Sequence, residues 1–113
     1  ELLWSPTSRA FGDIRLKAPF QVVSSEPEST MHTLTPEDWA LVLVSSAVSS
    51  ALREDGIARI CREQLLKEVP DPVEAARSLV SEAKRSGKAN GSFTAFVLCF
   101  GWALQHVRQA SST

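Results

Sequence analysis

Two short apolar runs, residues 39–44 and 92–100, constrain the fold of this chain more than any other feature. The first run is apolar without interruption, which is typical of a strand buried on both faces. The second is apolar on nearly both sides of an alternating pattern. We therefore expect the two strands to pair. Strands of this kind need cover on two sides, and an uncovered sheet edge favours pairing or packing with another chain.

The segment between these runs predicts two helices, the first over residues 54–68. Its apolar side chains recur at helical spacing and its charged side chains fall on the opposite face. Gly56 weakens the first turn of this helix. The residues expected to face the core are Ile57, Ile60, Cys61, Leu65 and Val69.

The second predicted helix, residues 71–87, has sequence signals at both ends. Asp71 is a plausible N-cap, Pro72 fits the first helical position, and Glu74 completes an arrangement like a capping box. Gly87 follows two basic residues and is typical of a helix end. The residues expected on its buried face are Val73, Ala76, Val80 and Ala83.

The rest of the chain is predicted to be less regular. Residues 1–20 contain two prolines and a glycine, so we expect an irregular segment, with Trp4 and Phe11 packing it down. Residues 21–34 predict two short edge strands, separated by a turn-prone stretch. Residues 101–113 form a tail that could contain a short helix.

The order strand, helix, helix, strand predicts an α+β fold with antiparallel strands and two packed helices, and we place this domain at residues 21–100. At 113 residues the chain is one domain at most, either a small domain or half of a larger one. Its two cysteines have no metal-ligand spacing and are expected to be buried reduced thiols.

Charge and hydropathy exclude some classes of partner. The formal net charge of −1 gives no electrostatic reason to expect nucleic acid or an anionic membrane surface. The longest apolar tract, residues 93–104, is shorter than the roughly 20 residues that span a bilayer, so we expect no transmembrane segment.

The start of the chain does not identify its compartment. It begins with Glu1 rather than Met, and no signal segment follows, so we expect a processed chain or part of a longer product. An intracellular setting is compatible with this sequence, including an organelle and a membrane-associated complex there, by fold-level analogy alone.

Three segments carry a resemblance to a known family. They are residues 8–13 (SRAFGD), 41–52 (LVLVSSAVSSAL) and 71–100, where a helix is followed by SGKANGSFT at residues 86–94. In this order and spacing they resemble the C-terminal half of the type 2C metal-dependent protein phosphatases, where the motifs read S/T-R-A-F/L-G-D, LVLASDGLWDVL and G-S-x-D-N-x-T. That family hydrolyses phosphoserine and phosphothreonine with paired Mg²⁺ or Mn²⁺ ions. The resemblance implies part of a sandwich of two antiparallel sheets with helices outside.

The same resemblance places Ser46 and Ala89 at two metal-binding aspartates of the family, and Ser50 at a further aspartate of the turn. Divalent Mg²⁺ and Mn²⁺ need anionic oxygen ligands, which a hydroxyl or a methyl group cannot replace. Without the ligands, the metal-activated water is lost as well. The sequence therefore predicts no metal site, no cofactor, no catalytic residue and no enzyme.

The serines of this segment have an alternative interpretation as nucleophiles, which we consider weak. A nucleophilic serine needs a positioned base, the only histidines are His32 and His106, and no G-x-S-x-G elbow is present. The ordinary interpretation is a polar turn with hydrogen bonds from side chain to backbone. The serines concerned are Ser45, Ser46, Ser49 and Ser50.

These observations lead to one main hypothesis and several alternatives. The main hypothesis is a catalytically inactive, phosphatase-derived scaffold or accessory subunit of a larger protein complex. Its candidate partner-binding residues are Trp4, Phe100, Trp102 and His106. The alternatives are a regulatory pseudophosphatase that binds phosphoprotein, a fragment of a longer type 2C phosphatase, and an unrelated small α+β binding domain.

Overall fold

The computed structural model describes residues 7–18 and 22–102, and the chain divides into two compact units, Glu1–Thr33 and Leu34–Thr113. The second unit has the element order β1 (Ala40–Val44), α1 (Ser46–Leu65), α2 (Pro72–Ser86) and β2 (Ala95–Cys99). This is the predicted α+β order.

The two predicted strands pair as expected. β1 and β2 run antiparallel, with Ala40 opposite Cys99, Val42 opposite Val97 and Val44 opposite Ala95 in the register. Just before β1, the Asp38 N–H donates to the Thr35 carbonyl over 2.9 Å, which forms the turn predicted there. The fold class is therefore confirmed.

The prediction that both strands are buried on two faces is wrong. Each strand alternates between half-buried and exposed residues. The half-buried residues of both strands pack against the helices. The outer face presents Leu41, Leu43, Phe96 and Leu98 to solvent. In the described residues, the sheet consists of two strands with helices packed against one face. The prediction requires that both faces of the sheet are covered, and here only one of them is.

Helix α2 forms as its end signals predict. The Asp71 side chain accepts a hydrogen bond from the Glu74 N–H over 2.9 Å, and Pro72 occupies the first turn. Gly87 ends the helix in the left-handed conformation, with φ 64°, which glycine adopts without steric cost. The buried face differs from the expected one. Its buried residues are Ala75, Leu79 and Ala83, whereas Val73 is 59% exposed.

Helix α1 begins earlier than predicted. Helical structure starts at Ser46, inside the expected serine turn, and is interrupted at Arg53, where φ is 59° and ψ is 176°. The second half beyond Arg53 corresponds to the predicted helix. Ile60, Cys61 and Leu65 are buried as expected, while Val69 lies beyond the end of α1 and is exposed.

The core of the second unit lies between the two helices and the inner face of the sheet. α1 packs on α2, and α2 packs on β2. The Arg59 guanidinium joins the helices at the surface, donating to Glu82 over 2.6 Å and to Glu63 over 3.2 Å. The core residues are Val48, Ala51, Ile60, Cys61, Leu65, Ala75, Leu79 and Ala83.

The first unit contains a short 3-10 helix, Ile14–Leu16, and a single parallel bridge between Arg9 and Ser24. The Arg9 side chain also forms an ion pair with Glu28 at 2.8 Å. The edge strands expected over residues 21–34 do not form in the described part of that range, because an extended segment becomes a strand only when it finds a pairing partner. Phe11 is 91% exposed. The prediction that Phe11 packs this segment down is therefore wrong. Trp4 lies outside the described residues.

None of the helices in the described part of the chain is long and apolar enough to cross a membrane.

Candidate functional site

The junction between β1 and α1 is the candidate site, because the resemblance places metal ligands there. Ser45 connects the two elements in an extended conformation, with φ −70° and ψ 161°. Its Oγ donates to the Ser92 carbonyl over 2.8 Å and accepts from the Thr94 N–H over 3.1 Å. The Ser45 N–H donates to the Thr94 carbonyl over 2.9 Å. One serine therefore makes three hydrogen bonds to the segment that leads into β2.

The loop over residues 87–94 lies against the start of α1. Gly91 has φ 122°, a conformation that side chains rarely adopt. A Cβ built on Gly91 would lie 3.8 Å from the Ala47 Cβ, so the loop and the first turn of α1 are in close contact. The resemblance involves these two regions as separate segments of the sequence, and in the structure they are in contact.

The two residues that the resemblance places at metal positions have different environments. Ser46 is exposed at the first position of α1. Ala89 is half-buried and packs against the apolar core. The methyl group of Ala89 therefore adds to the apolar surface that is buried against the core.

The donor set at this junction does not fit a pair of divalent cations. Ser46 offers a hydroxyl and Ala89 a methyl group, and hard cations select anionic oxygen. In the described residues, no group of three or more His, Cys, Asp or Glu side chains could hold a metal ion.

A polar cavity of about 560 Å³ lies beside this junction, at the interruption of α1. It is lined by Ser49, Ser50, Arg53, Glu54 and Asp55. Two carboxylates and one guanidinium give it mixed charge, so charge alone selects neither an anion nor a cation.

An apolar groove of about 440 Å³ runs along β1 and the second half of α1. Trp39, Val42 and Ile57 line it, and Cys61 lies at its base. Burial raises the pKa of the Cys61 thiol above its ordinary value of 9.0, because a thiolate is poorly solvated there. Burial raises the pKa of the Cys99 thiol in the same direction. Neither thiol is in a disulfide; Cys61 is buried as expected, whereas Cys99 is only half-buried.

The predicted partner-binding residues are only partly described. The rings of Phe100 and Trp102 are stacked, with centroids 5.0 Å apart and planes at 16°. Phe100 is half-buried, and Trp102 is 49% exposed. Trp4 and His106 lie outside the described residues. The partner-binding role of all four stays a prediction.

The sequence profile of the family described as "Protein phosphatase 2C" matches residues 2–91. The chain belongs to the protein phosphatase 2C family. It is 33% identical over 105 residues to "Probable protein phosphatase 2C 47" of Oryza sativa subsp. japonica, an alignment that covers 90% of this chain and 26% of that relative. The chain thus spans about a quarter of the length of this curated relative. No solved structure matches it.

Membership of the protein phosphatase 2C family corrects one prediction. We expected no enzyme, and that expectation is wrong, because the chain aligns with a protein phosphatase and belongs to a family of phosphatases. The error came from judging the activity of a phosphatase by two positions, Ser46 and Ala89. A segment that aligns with a quarter of a phosphatase cannot by its own side chains decide the activity of the whole.

Two features of the junction do not follow from the sequence patterns. The serine-rich segment predicts a polar turn, whereas Ser45 carries the contact with the loop before β2. No sequence pattern predicted the interruption at Arg53. Gly56 and the paired acids Glu54 and Asp55 are the sequence features nearest to the interruption, since acidic residues are typical of a helix start.

Proposed function

We propose that this chain is the C-terminal portion of a longer protein phosphatase 2C, which removes phosphate from phosphoserine and phosphothreonine in proteins. The alignment of 90% of the chain with 26% of a protein phosphatase carries this proposal. The order of the motifs at residues 8–13, 41–52 and 86–94 supports the C-terminal placement.

The outer face of the sheet provides structural support. Leu41 lies opposite Leu98, and Leu43 lies opposite Phe96. Leu43 is 57% exposed and Phe96 is 54% exposed. Four large apolar side chains on one face form a patch of the kind that soluble domains cover with further polypeptide. Further parts of a longer phosphatase chain would supply this cover.

The free edges of the sheet support the same conclusion. In the described residues β1 and β2 each pair with one strand, namely each other. Each strand therefore has one side on which backbone groups lack a strand partner, and such edges favour addition of further strands. A segment of a larger sheet has this property, whereas a complete small domain usually protects its edges.

Metal chemistry in such a phosphatase would depend on residues outside this part of the chain. The junction at Ser46 and Ala89 does not supply carboxylates, so we assign it no step of phosphate hydrolysis. Its contribution under this proposal is to hold β1, α1 and β2 in their relative positions.

The test has two stages. The native polypeptide that contains this sequence is purified, and its intact mass is measured. That polypeptide is then assayed with a phosphothreonine peptide in Mn²⁺ buffer, with a phosphotyrosine peptide of the same sequence as the matched control. We expect a chain several times longer than 113 residues and turnover of the phosphothreonine peptide alone. A native chain of 12.3 kDa, or a longer chain without turnover of either peptide, would overturn the proposal.

Assembly with other subunits is a separate proposal. The stacked Phe100 and Trp102 and the outer sheet face are the surfaces among the described residues that support it. Native mass spectrometry of the same preparation tests it, and a particle whose mass equals that of one polypeptide would exclude a stable complex. The expectation of no nucleic acid partner also stays a prediction.

A further inference from the structure

We propose that the loop before β2 is locked to the start of α1 by Ser45 without a metal ion, so that this junction keeps its structure in the absence of Mg²⁺ and Mn²⁺. The proposal concerns the junction alone and stands whether or not the longer chain is an active phosphatase. It begins from the mismatch between the family's metal positions and the residues present here.

The hydrogen bonds of Ser45 provide the link. Its hydroxyl acts both as donor, to the Ser92 carbonyl at 2.8 Å, and as acceptor, from the Thr94 N–H at 3.1 Å. Its own N–H reaches the Thr94 carbonyl at 2.9 Å. The three contacts connect residues that are 47 and 49 positions apart in the chain. A metal ion that bridged the same two loops would perform the same structural task.

Packing beside these hydrogen bonds supports the same inference. Ala89 packs on the apolar core, and Ala47 is buried. Gly91 lies so close to Ala47 that a Cβ added to Gly91 would be in van der Waals contact with the Ala47 Cβ. These three residues contribute small apolar groups, which stabilise by burial and cannot themselves bind a divalent cation.

The charge of the residues at the junction is consistent with a contact that needs no cation. Carboxylates that are brought together repel one another unless a cation compensates them, which makes a metal site unstable when its metal is removed. Ser46 and Ala89 carry no charge, so removal of metal leaves no uncompensated repulsion. The junction therefore gains no stability from metal and loses none without it.

Hydrogen exchange of the whole native polypeptide tests this inference without an activity assay. Exchange is followed by mass spectrometry in peptides that cover residues 44–48 and 89–96. One sample contains about 1 mM Mn²⁺, which is about a thousandfold above a micromolar dissociation constant for the ion. The other sample contains EDTA instead. We expect equal protection of the Thr94 amide in both buffers. Exchange that is clearly slower in Mn²⁺ than in EDTA would overturn the proposal.

A pair of variants identifies the residue responsible. Ser45→Ala removes both side-chain hydrogen bonds, so we expect the Thr94 amide to exchange roughly fivefold to tenfold faster, in Mn²⁺ and in EDTA alike. Ser49→Ala is the matched control, since Ser49 is an exposed serine on the same helix and should leave Thr94 unchanged. Unchanged exchange in Ser45→Ala would overturn the role of Ser45. If Ser45→Ala fails to fold, the comparison of buffers on the natural chain still decides the proposal.

Discussion

Helices α1 and α2 are neighbours in the same core, yet they are built in different ways. α2 is uninterrupted, and its ends are defined by the residues that flank it, the side chain of Asp71 at the start and the left-handed backbone of Gly87 at the end. α1 is interrupted at Arg53, and the described residues provide no side-chain hydrogen bond at its N-cap. The hydroxyl of Ser45, which could cap α1, is engaged with the loop before β2.

The difference shows how a helix start can be used for tertiary contact. An N-cap hydroxyl that accepts a hydrogen bond from a backbone N–H of its own helix stabilises that helix by about 1 kcal/mol. In α1 the same group joins segments that are distant in sequence, and the first turn of α1 depends on the surrounding packing. Arg53 then requires a backbone conformation that is essentially restricted to glycine, at a cost of about 1–3 kcal/mol. α2 needs no such support, because its stabilising contacts are local.

The largest effect is expected from a core substitution in α2. Leu79→Ala should lower the free energy of unfolding by about 2–5 kcal/mol, because a buried leucine is replaced by a cavity. Urea denaturation followed by circular dichroism measures this. The control is Val73→Ala on the same helix, which should cost less than about 1 kcal/mol because Val73 is mostly exposed. A larger loss in Val73→Ala than in Leu79→Ala would mean that α2 packs with the face predicted from the sequence.

Relief of strain in α1 should come second in size. Arg53→Gly should raise the free energy of unfolding by about 1 kcal/mol, since glycine avoids the strain at φ 59° and loses part of the gain to chain entropy. Arg53→Ala keeps a Cβ and should give no such gain. The measurement is again urea denaturation. If Arg53→Gly and Arg53→Ala lower the free energy of unfolding equally, the backbone at the interruption is unstrained. One difference between α1 and α2 would then be removed.

Loss of the local cap should affect α2 by a similar or smaller amount. Asp71→Ala should lower the free energy of unfolding by about 1 kcal/mol, because the Glu74 N–H loses its acceptor. Asp71→Ser retains a capping oxygen and should recover most of this loss. Thermal unfolding at fixed pH compares the two variants. If serine fails to recover stability, the carboxylate acts through charge on the helix end rather than as a cap.

The smallest effect is a pH dependence from the second half of α1. Because burial raises the pKa of the Cys61 thiol above 9.0 in the folded chain, the unfolded chain releases its proton at lower pH. Stability from this group is therefore complete below pH 9 and falls as pH rises toward the folded-state pKa, by at most about 1.4 kcal/mol per pH unit.

Urea denaturation at pH 7.5 and pH 10, for the natural chain and for Cys61→Ala, isolates this contribution. The difference in stability between the two chains should narrow at the higher pH, because the alanine variant has no proton to lose at this position. A difference that does not change with pH would mean that the thiol is solvated and that this part of α1 packs less closely than α2.

The elements that sequence reasoning predicted well are those determined by neighbouring residues. α2 was predicted at both ends because Asp71, Pro72 and Gly87 act on backbone groups within a few positions. β1 and β2 were predicted because their apolar runs are continuous. The first half of α1 was missed because serines are common in turns, whereas in the structure this segment is helical and buries Val48 and Ala51 in the core. The buried face of α2 was shifted for the same reason, since periodicity alone does not say which stripe meets α1.

The candidate site divides in the same way. Sequence motifs sufficed to indicate the family, but reasoning from Ser46 and Ala89, which the resemblance places at metal positions, led to the incorrect expectation of no enzyme. The exposure of Leu43 and Phe96 and the triple contact of Ser45 depend on which segments meet in space.

By itself the sequence determined the order of the elements, the ends of α2, the pairing of two apolar strands and the resemblance to the protein phosphatase 2C family, because each depends on residue types at short range or in fixed order. Only the tertiary structure decided which face of the sheet is covered, where α1 is interrupted and that Ser45 joins the β1–α1 junction to the loop before β2. Those features arise from contacts between residues far apart in the chain, whose energies no local pattern encodes.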